Sequence, residues 1–202
     1  MATHPLQCTC KTLIGEIDAA ARFNRGLCFC KDCQAFAHFL GRAPEILDDR
    51  GGTGIVQTQP SMVRLTAGQS QLACVRLTPN GLTRWYTKCC NTPIGNTPAN
   101  YKFAFVGLID MCLKSPPQSL DERYGPVEMW VHTQSAIGDP KPRTQGTLRA
   151  IRHLMGGLIS ARVTGRYKRT PFFSARGELV AVPTILAGDQ RAAIMAAVNG
   201  YR

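Results

Sequence analysis

A mainly β fold of the α+β class, organised as a zinc-bound β-sheet scaffold with additional C-terminal helices, is predicted from three observations. Short apolar–polar alternations recur up to about residue 139, punctuated by Gly, Pro and Asn. Seven of the nine cysteines fall in three tight clusters. Beyond Asp139-Pro140-Lys141-Pro142 the apolar residues change to helical spacing.

The strand prediction covers 13–17, 54–59, 62–66, 72–78, 83–86 and 101–108. Met62-Val63-Arg64-Leu65-Thr66 alternates as a half-buried strand should, and Leu72-Ala73-Cys74-Val75-Arg76-Leu77 does the same. Pro79-Asn80-Gly81 separates two such runs and suits a turn, because Asn and Gly tolerate positive φ. This regular spacing predicts an antiparallel sheet or a small barrel. One helix is expected from Lys31 or Asp32 to Gly41, with Phe36, Phe39 and Leu40 as its apolar stripe. Ser115-Pro116-Pro117 marks a break.

The C-terminal part is expected to be helical. Leu148, Ile151, Leu154, Met155, Leu158 and Ile159 form a stripe, and Gly156-Gly157 is a place for a bend. Asp189 is the expected N-cap of a last helix that places Ile194, Met195 and Val198 on one side and ends at Gly200. Two regions result: a zinc-binding domain over 1–139 and a basic helical extension over 140–202 packed on it.

The 202 residues carry a net charge of +11, and the charge is regional. Residues 140–177 hold nine Lys/Arg and no Asp or Glu. That bears on partners rather than on fold. No apolar run is long enough for a membrane span, so no membrane partner is expected. The N-terminal residues lack the basic-then-apolar order of a secretory signal. A cytoplasmic location follows as the expectation, with thiols kept reduced. An odd cysteine count there argues against a disulfide framework, and the clustering of seven of the nine thiols argues for metal.

The clusters are Cys8-Thr9-Cys10, Cys28-Phe29-Cys30-Lys31-Asp32-Cys33, and Cys89-Cys90. Structural zinc takes four tetrahedral ligands, so the first pair needs a second, which Cys89 and Cys90 supply. The middle cluster offers three thiols and leaves one position for water or substrate, the arrangement of a catalytic zinc. Cys74 and Cys112 lie in apolar runs and read as core thiols. The histidines add no ligand spacing, and His38 reads as a partly buried, satisfied side chain on the predicted helix.

These clusters, together with Arg84-Trp85-Tyr86-Thr87-Lys88-Cys89-Cys90-Asn91-Thr92-Pro93, resemble the glutathione-dependent formaldehyde-activating (GFA) family, also called the CENP-V/GFA domain family. The match in order and spacing spans residues 6–108. Cys33-Gln34-Ala35-Phe36-Ala37 and Gly51-Gly52-Thr53 look like an uncharacterised branch of it. The resemblance implies an Mss4-like fold, a structural zinc at Cys8, Cys10 and Cys90, and a second, catalytic zinc at Cys28, Cys30 and Cys33. It also implies carbon–sulfur lyase chemistry on a glutathione-type thiol adduct. One departure stands out: the family's late motif is Cys-x-x-Cys, and Thr87 occupies its first cysteine position. Cys89 then completes the structural site from a different backbone geometry, points to the second zinc, or binds no metal. The first option is favoured because closed sites want four ligands.

For a lyase, Asp32 is the nearest candidate base, although its position also suits a first-turn helix carboxylate. The competing reading is a non-enzymatic, zinc-stabilised binding protein. It would use the basic segment for nucleic acid or acidic partners, with Tyr167, Phe172 and Phe173 available to stack on bases. A third reading, redox-linked zinc storage, ranks last.

Overall fold

The computed structural model describes residues 3–21, 23–115 and 118–201. In chain order the strands and helices begin with β1 (Thr3–Gln7), β2 (Ile14–Asp18), β3 (Asn24–Cys28), α1 (Lys31–Phe39), α2 (Ala43–Ile46), β4 (Thr53–Thr58) and β5 (Val63–Ala67). Next come β6 (Leu72–Arg76), β7 (Thr83–Thr87), β8 (Pro93–Thr97), β9 (Val106–Ile109), α3 (Leu120–Tyr124) and β10 (Met129–Val131). The C-terminal elements are α4 (Thr147–Val163), β11 (Thr184–Ile185) and α5 (Gly188–Gly200).

The mainly β, α+β class is as the sequence predicts. A three-stranded antiparallel sheet runs β1-β2-β5, and an eight-stranded sheet runs β10-β3-β4-β9-β8-β7-β6-β11. The larger sheet is antiparallel inside and carries a parallel strand at each edge, β10 on β3 and β11 on β6. Leu6 and Ile17 from the small sheet, with Leu13 just ahead of β2, share one core with Val56, Trp85, Ile94 and Leu108 from the large one. Phe172, from the basic segment, lies in that same core against Trp85, with ring centroids 5.2 Å apart. Across another part of the large sheet, α1 and α5 pack together. Phe36 and Leu40 meet Val75, Leu77, Ile194, Met195 and Val198 there. Among the described residues no helix is long and apolar enough to cross a membrane.

Several elements escape the sequence pattern for identifiable reasons. β3 reads Asn-Arg-Gly-Leu-Cys, which looks like loop, yet Arg25 is buried by pairing with Asp110 and Asp121 and by donating to the Gly125 carbonyl. Gly26 in the same strand lets β10 approach; a Cβ there would lie 2.6 Å from the Met129 carbonyl oxygen. β8 is buried along its whole length, so it shows no alternation. The expected strand over 101–108 shrinks to Val106–Ile109, and the residues before it form turns. β1, β10 and β11 were also outside the strand prediction; they are short edge strands. Pro116 and Pro117, part of the expected break, lie outside the described residues.

The first helix occupies Lys31–Phe39, and Gly41 follows it at φ +68°, as its expected role as terminator requires. Two expectations in the C-terminal part need correction. Asp189 is not the N-cap: α5 starts one residue earlier, its cap is Ala187, and Gln190 Oε1 accepts the Ala187 N–H. The apolar stripe of α4 does not face inward as a unit. Ala150 and Ala161 are buried, whereas Leu148, Ile151, Met155 and Ile159 are exposed, Leu148 to 73%. The small residues Ala150 and Ala161 take the inner side, those four larger ones fall on the outer side, and Leu154 and Leu158 are half-buried between them. α4 also runs on through Gly156 and Gly157.

Candidate metal centres

The first centre is built from two tight turns that face each other. Cys8 follows β1, and Cys10 lies in the turn leading to β2, where Lys11 adopts φ +60°. Cys89 and Cys90 occupy the turn between β7 and β8, closed by Asn91 at φ +51° and by the Asn91 N–H donating to the Thr87 carbonyl at 2.9 Å. The sulfurs of Cys8 and Cys10 are 3.5 Å apart, Cys10 and Cys89 3.3 Å, Cys8 and Cys89 3.9 Å, and Cys89 and Cys90 3.8 Å. All four lie within 4.8 Å of one another and could hold a metal ion. Four sulfurs around a tetrahedral zinc at ~2.3 Å are about 3.8 Å apart, so this donor set fits. Cys89 therefore converges on the Cys8–Cys10 pair.

Hydroxyl groups surround this centre, and the sequence reading missed them. Thr87, in the position where the resemblance expects cysteine, comes within 3.4 Å of Cys90 Sγ, and Thr92 within 3.1 Å. Burial works to raise the Cys90 pKa, but the Thr87, Thr9 and Thr92 hydroxyls outweigh it and bring the thiol down to about 4. Arg42 locks the turn from outside, donating to the Thr9 hydroxyl and the Cys90 carbonyl, each at 3.0 Å. The Leu13 N–H donates to Cys8 Sγ at 3.2 Å, and Cys8 is buried, while Cys10 and Cys89 are exposed.

The second centre forms where β3 turns into α1. Cys28 ends the strand, Cys30 caps the helix, and Cys33 sits in its first turn. Cys30 Sγ accepts the Cys33 N–H at 3.3 Å, a capping bond made by a thiol in place of the usual hydroxyl or carboxylate. The buried amide of Gln34 donates to the Phe29 carbonyl at 2.9 Å and the Ser135 carbonyl at 3.1 Å, fixing the loop that spaces Cys28 from Cys30. Cys28 and Cys33 sulfurs are 3.7 Å apart, and the three sulfurs lie within 4.8 Å of one another. No fourth His, Cys, Asp or Glu joins them among the described residues.

Arg84, also absent from the sequence-derived site, lies against this centre. It is 3% exposed, with a guanidinium nitrogen 3.8 Å from Cys33 Sγ, another 3.7 Å from an Asp32 carboxylate oxygen, and a hydrogen bond of 3.3 Å to Asn96 Oδ1. Hydrogen bonds from Cys28 and Cys30, with the Arg84 charge, hold the Cys33 thiol well below its usual range. Cys28 is pushed up by its two thiol neighbours and by burial. Cys30 settles at about 11: its bond with Cys28 favours the thiolate, but Cys33 and burial prevail. Asp32 is 47% exposed and borders the cluster through Arg84. An arginine between Thr83 and Trp85 in an alternating strand reads as a solvent-facing residue, so the sequence carried no signal for it.

The remaining candidates sit elsewhere. Cys74 and Cys112 are buried in the main core, as expected, and burial raises the pKa of both, Cys74 to about 11. His38 packs edge-on against Tyr201, but its Nε2 is buried without a hydrogen-bond partner among the described residues, so it is not the satisfied side chain expected. Phe172 and Phe173 are buried, and Tyr167 is covered by Arg162 and Lys168, so the stacking faces expected from the sequence are occupied.

The thiol pattern and the chain's length can be set beside known proteins. Residues 1–173 match a family described as a family of unknown function, DUF6151. The chain belongs to the DUF6151 family. This match extends through the first part of the basic segment and includes Phe172 and Phe173. Among solved structures, the DUF6151 chain is similar to a Rhodobacter sphaeroides protein, with 15% identity and a TM-score of 0.40 over 63% of this chain and 99% of that one. No curated protein matches it. The likeness to the GFA family rests on the motifs themselves.

Proposed function

We propose that this DUF6151 protein holds two zinc ions, a structural one at Cys8, Cys10, Cys89 and Cys90 and a reactive one at Cys28, Cys30 and Cys33. We read it as a carbon–sulfur lyase acting on a small thiol adduct, with a glutathione-type adduct as the leading candidate substrate. The difference between the two thiol clusters carries this reading: one gathers four sulfurs and the other three, with a buried arginine beside it. A cytoplasmic, reducing setting belongs to the same reading, since thiolates must stay reduced to bind metal.

Zinc in the second centre would supply Lewis acidity and a lowered pKa for a thiol in its fourth position. The chain's own groups supply the rest. Arg84 offsets part of the negative charge of three clustered thiolates, and low exposure makes that charge count for more. In a hemithioacetal, loss of the hydroxyl proton turns the C–O bond into a carbonyl as the C–S electron pair departs with sulfur. Asp32, half exposed and held beside the cluster by Arg84, takes that proton. Products are an aldehyde, a thiolate and a protonated carboxyl group, so atoms and charge balance.

The test follows aldehyde release from thiol–aldehyde adducts, S-hydroxymethylglutathione first, by the full zinc-loaded chain. Asp32→Asn is expected to lower turnover by ~10²–10⁴-fold with substrate affinity retained. Cys30→Ala should abolish it. Rates equal to the uncatalysed reaction for every adduct tried would remove the lyase reading and leave the non-enzymatic binding protein. The second reading draws its support from α4, whose outer side carries exposed Leu148, Ile151, Met155 and Ile159 in a segment of one charge sign.

A further inference from the structure

Far from the second thiol centre, α4 and β4 enclose a cavity of about 450 Å3. Asn24 lines it and lies at the opposite end of β3 from Cys28, about 13 Å away by strand rise. The volume falls in the usual range of small-molecule sites. One part of the lining is apolar: Phe23, Met62, Phe105 and Leu154. Another carries the two guanidinium groups of Arg152 and Arg166, with His153 also in the lining, and no carboxylate lines the cavity among the described residues.

That positive charge has no internal answer. Arg166 is half-buried and donates to the Thr164 hydroxyl at 3.1 Å and the Ser160 hydroxyl at 3.0 Å, both neutral. Neither Arg152 nor Arg166 forms an ion pair among the described residues, in contrast to Arg25, Arg42, Arg64, Arg84 and Arg149, which all do. The polar wall is held in place rather than collapsed. Asn24 bridges His153 Nδ1 at 3.0 Å and the Ala150 carbonyl at 3.2 Å, and Gln59 donates to the Gly157 carbonyl at 3.2 Å. The buried Gln59 Oε1 accepts nothing among the described residues; a water, which can donate where an oxyanion cannot, would satisfy it.

We propose that this cavity binds a small organic anion, its oxyanion head at Arg152 and Arg166 and its apolar body against Phe23, Met62 and Phe105. Charge-assisted bonds from guanidinium to an oxyanion supply orientation, and the apolar wall supplies most of the buried area. The site is independent of the thiol centres and gives part of the acid-free 140–177 segment a purpose.

The experiment uses the full metal-loaded chain and the fluorescent anion 8-anilinonaphthalene-1-sulfonate as the probe, displaced by octanoate or by octanol, the same chain without the charge. Octanoate is expected to displace the probe at a concentration at least tenfold lower than octanol does. The preference should vanish in Arg152→Gln, which alters an exposed side chain, and in Arg166→Gln, provided its circular dichroism matches the wild type. A Leu148→Ser/Ile159→Ser variant controls for probe bound to the outer side of α4 and should behave as wild type. Equal displacement by the two compounds would overturn the proposal. So would a preference untouched by Arg152→Gln, or probe binding lost only in the Leu148→Ser/Ile159→Ser variant.

Discussion

Replacement of Cys8 by alanine is expected to unfold the chain at ordinary temperature. Cys8 is buried, its sulfur lies 3.5 Å from Cys10 and 3.9 Å from Cys89, and it also accepts the Leu13 N–H. The centre it belongs to joins the small sheet, through β1 and β2, to the β7–β8 turn of the large one. Structural zinc sites bind with apparent energies of ~10–16 kcal/mol, and that energy is folding energy. Whole domains are stable by only about 5–15 kcal/mol. Losing one of four ligands, and leaving a cavity in the shared core, thus removes a large share of the total. Thermal denaturation followed by circular dichroism reads the effect, and a strong chelator added to the wild-type chain should reproduce it. A melting temperature within two or three degrees of wild type, by either route, would mean that this centre is not structural.

Phe172→Ala carries the second large effect. Its ring is fully buried and leans on Trp85, whose indole N–H donates to the Thr97 hydroxyl at 2.9 Å in the middle of the large sheet. Truncating a core phenylalanine costs ~3–5 kcal/mol, because the transfer energy is lost and a cavity remains. Urea denaturation should show that loss at unchanged slope. A change below about 1 kcal/mol would mean that the segment carrying Phe172 does not share the core of the β-scaffold.

What the sequence disclosed about this fold depended on how each residue's neighbours were distributed. Alternating strands such as Val63–Ala67 and Leu72–Arg76 announce themselves because one side is buried and the other wet. β3 and β8 do not, since ion pairs around Arg25 and burial on both sides erase the alternation. The thiol clusters were legible because local spacing brings Cys28, Cys30 and Cys33 together over one strand end and one helix turn. Convergence of Cys89 was less so, resting on a turn geometry in which Asn91 takes positive φ. Arg84 and Arg42 were silent, and Thr87 stood out only as a missing cysteine, not as the hydroxyl beside Cys90. Both arginines act through contacts distant in sequence, to Cys33 and to the Cys90 carbonyl, and a single polar residue in a strand or loop gives no hint of what it will face. The stripe on α4 was visible as a period, but its direction was not; burial of Ala150 and Ala161 in its place reflects how closely the helix approaches the sheet.

Metal content per chain, measured on protein purified without added metal for the wild type and for Cys30→Ala, tests the two-centre reading most directly. Two zinc ions in the wild type, falling to about one in a Cys30→Ala protein that keeps its fold, is the expected result. It would separate a dispensable three-thiol centre from the four-thiol centre that holds the sheets together. A single zinc in the wild type, unchanged by Cys30→Ala, would contradict it, because Cys28, Cys30 and Cys33 would then hold no metal at all.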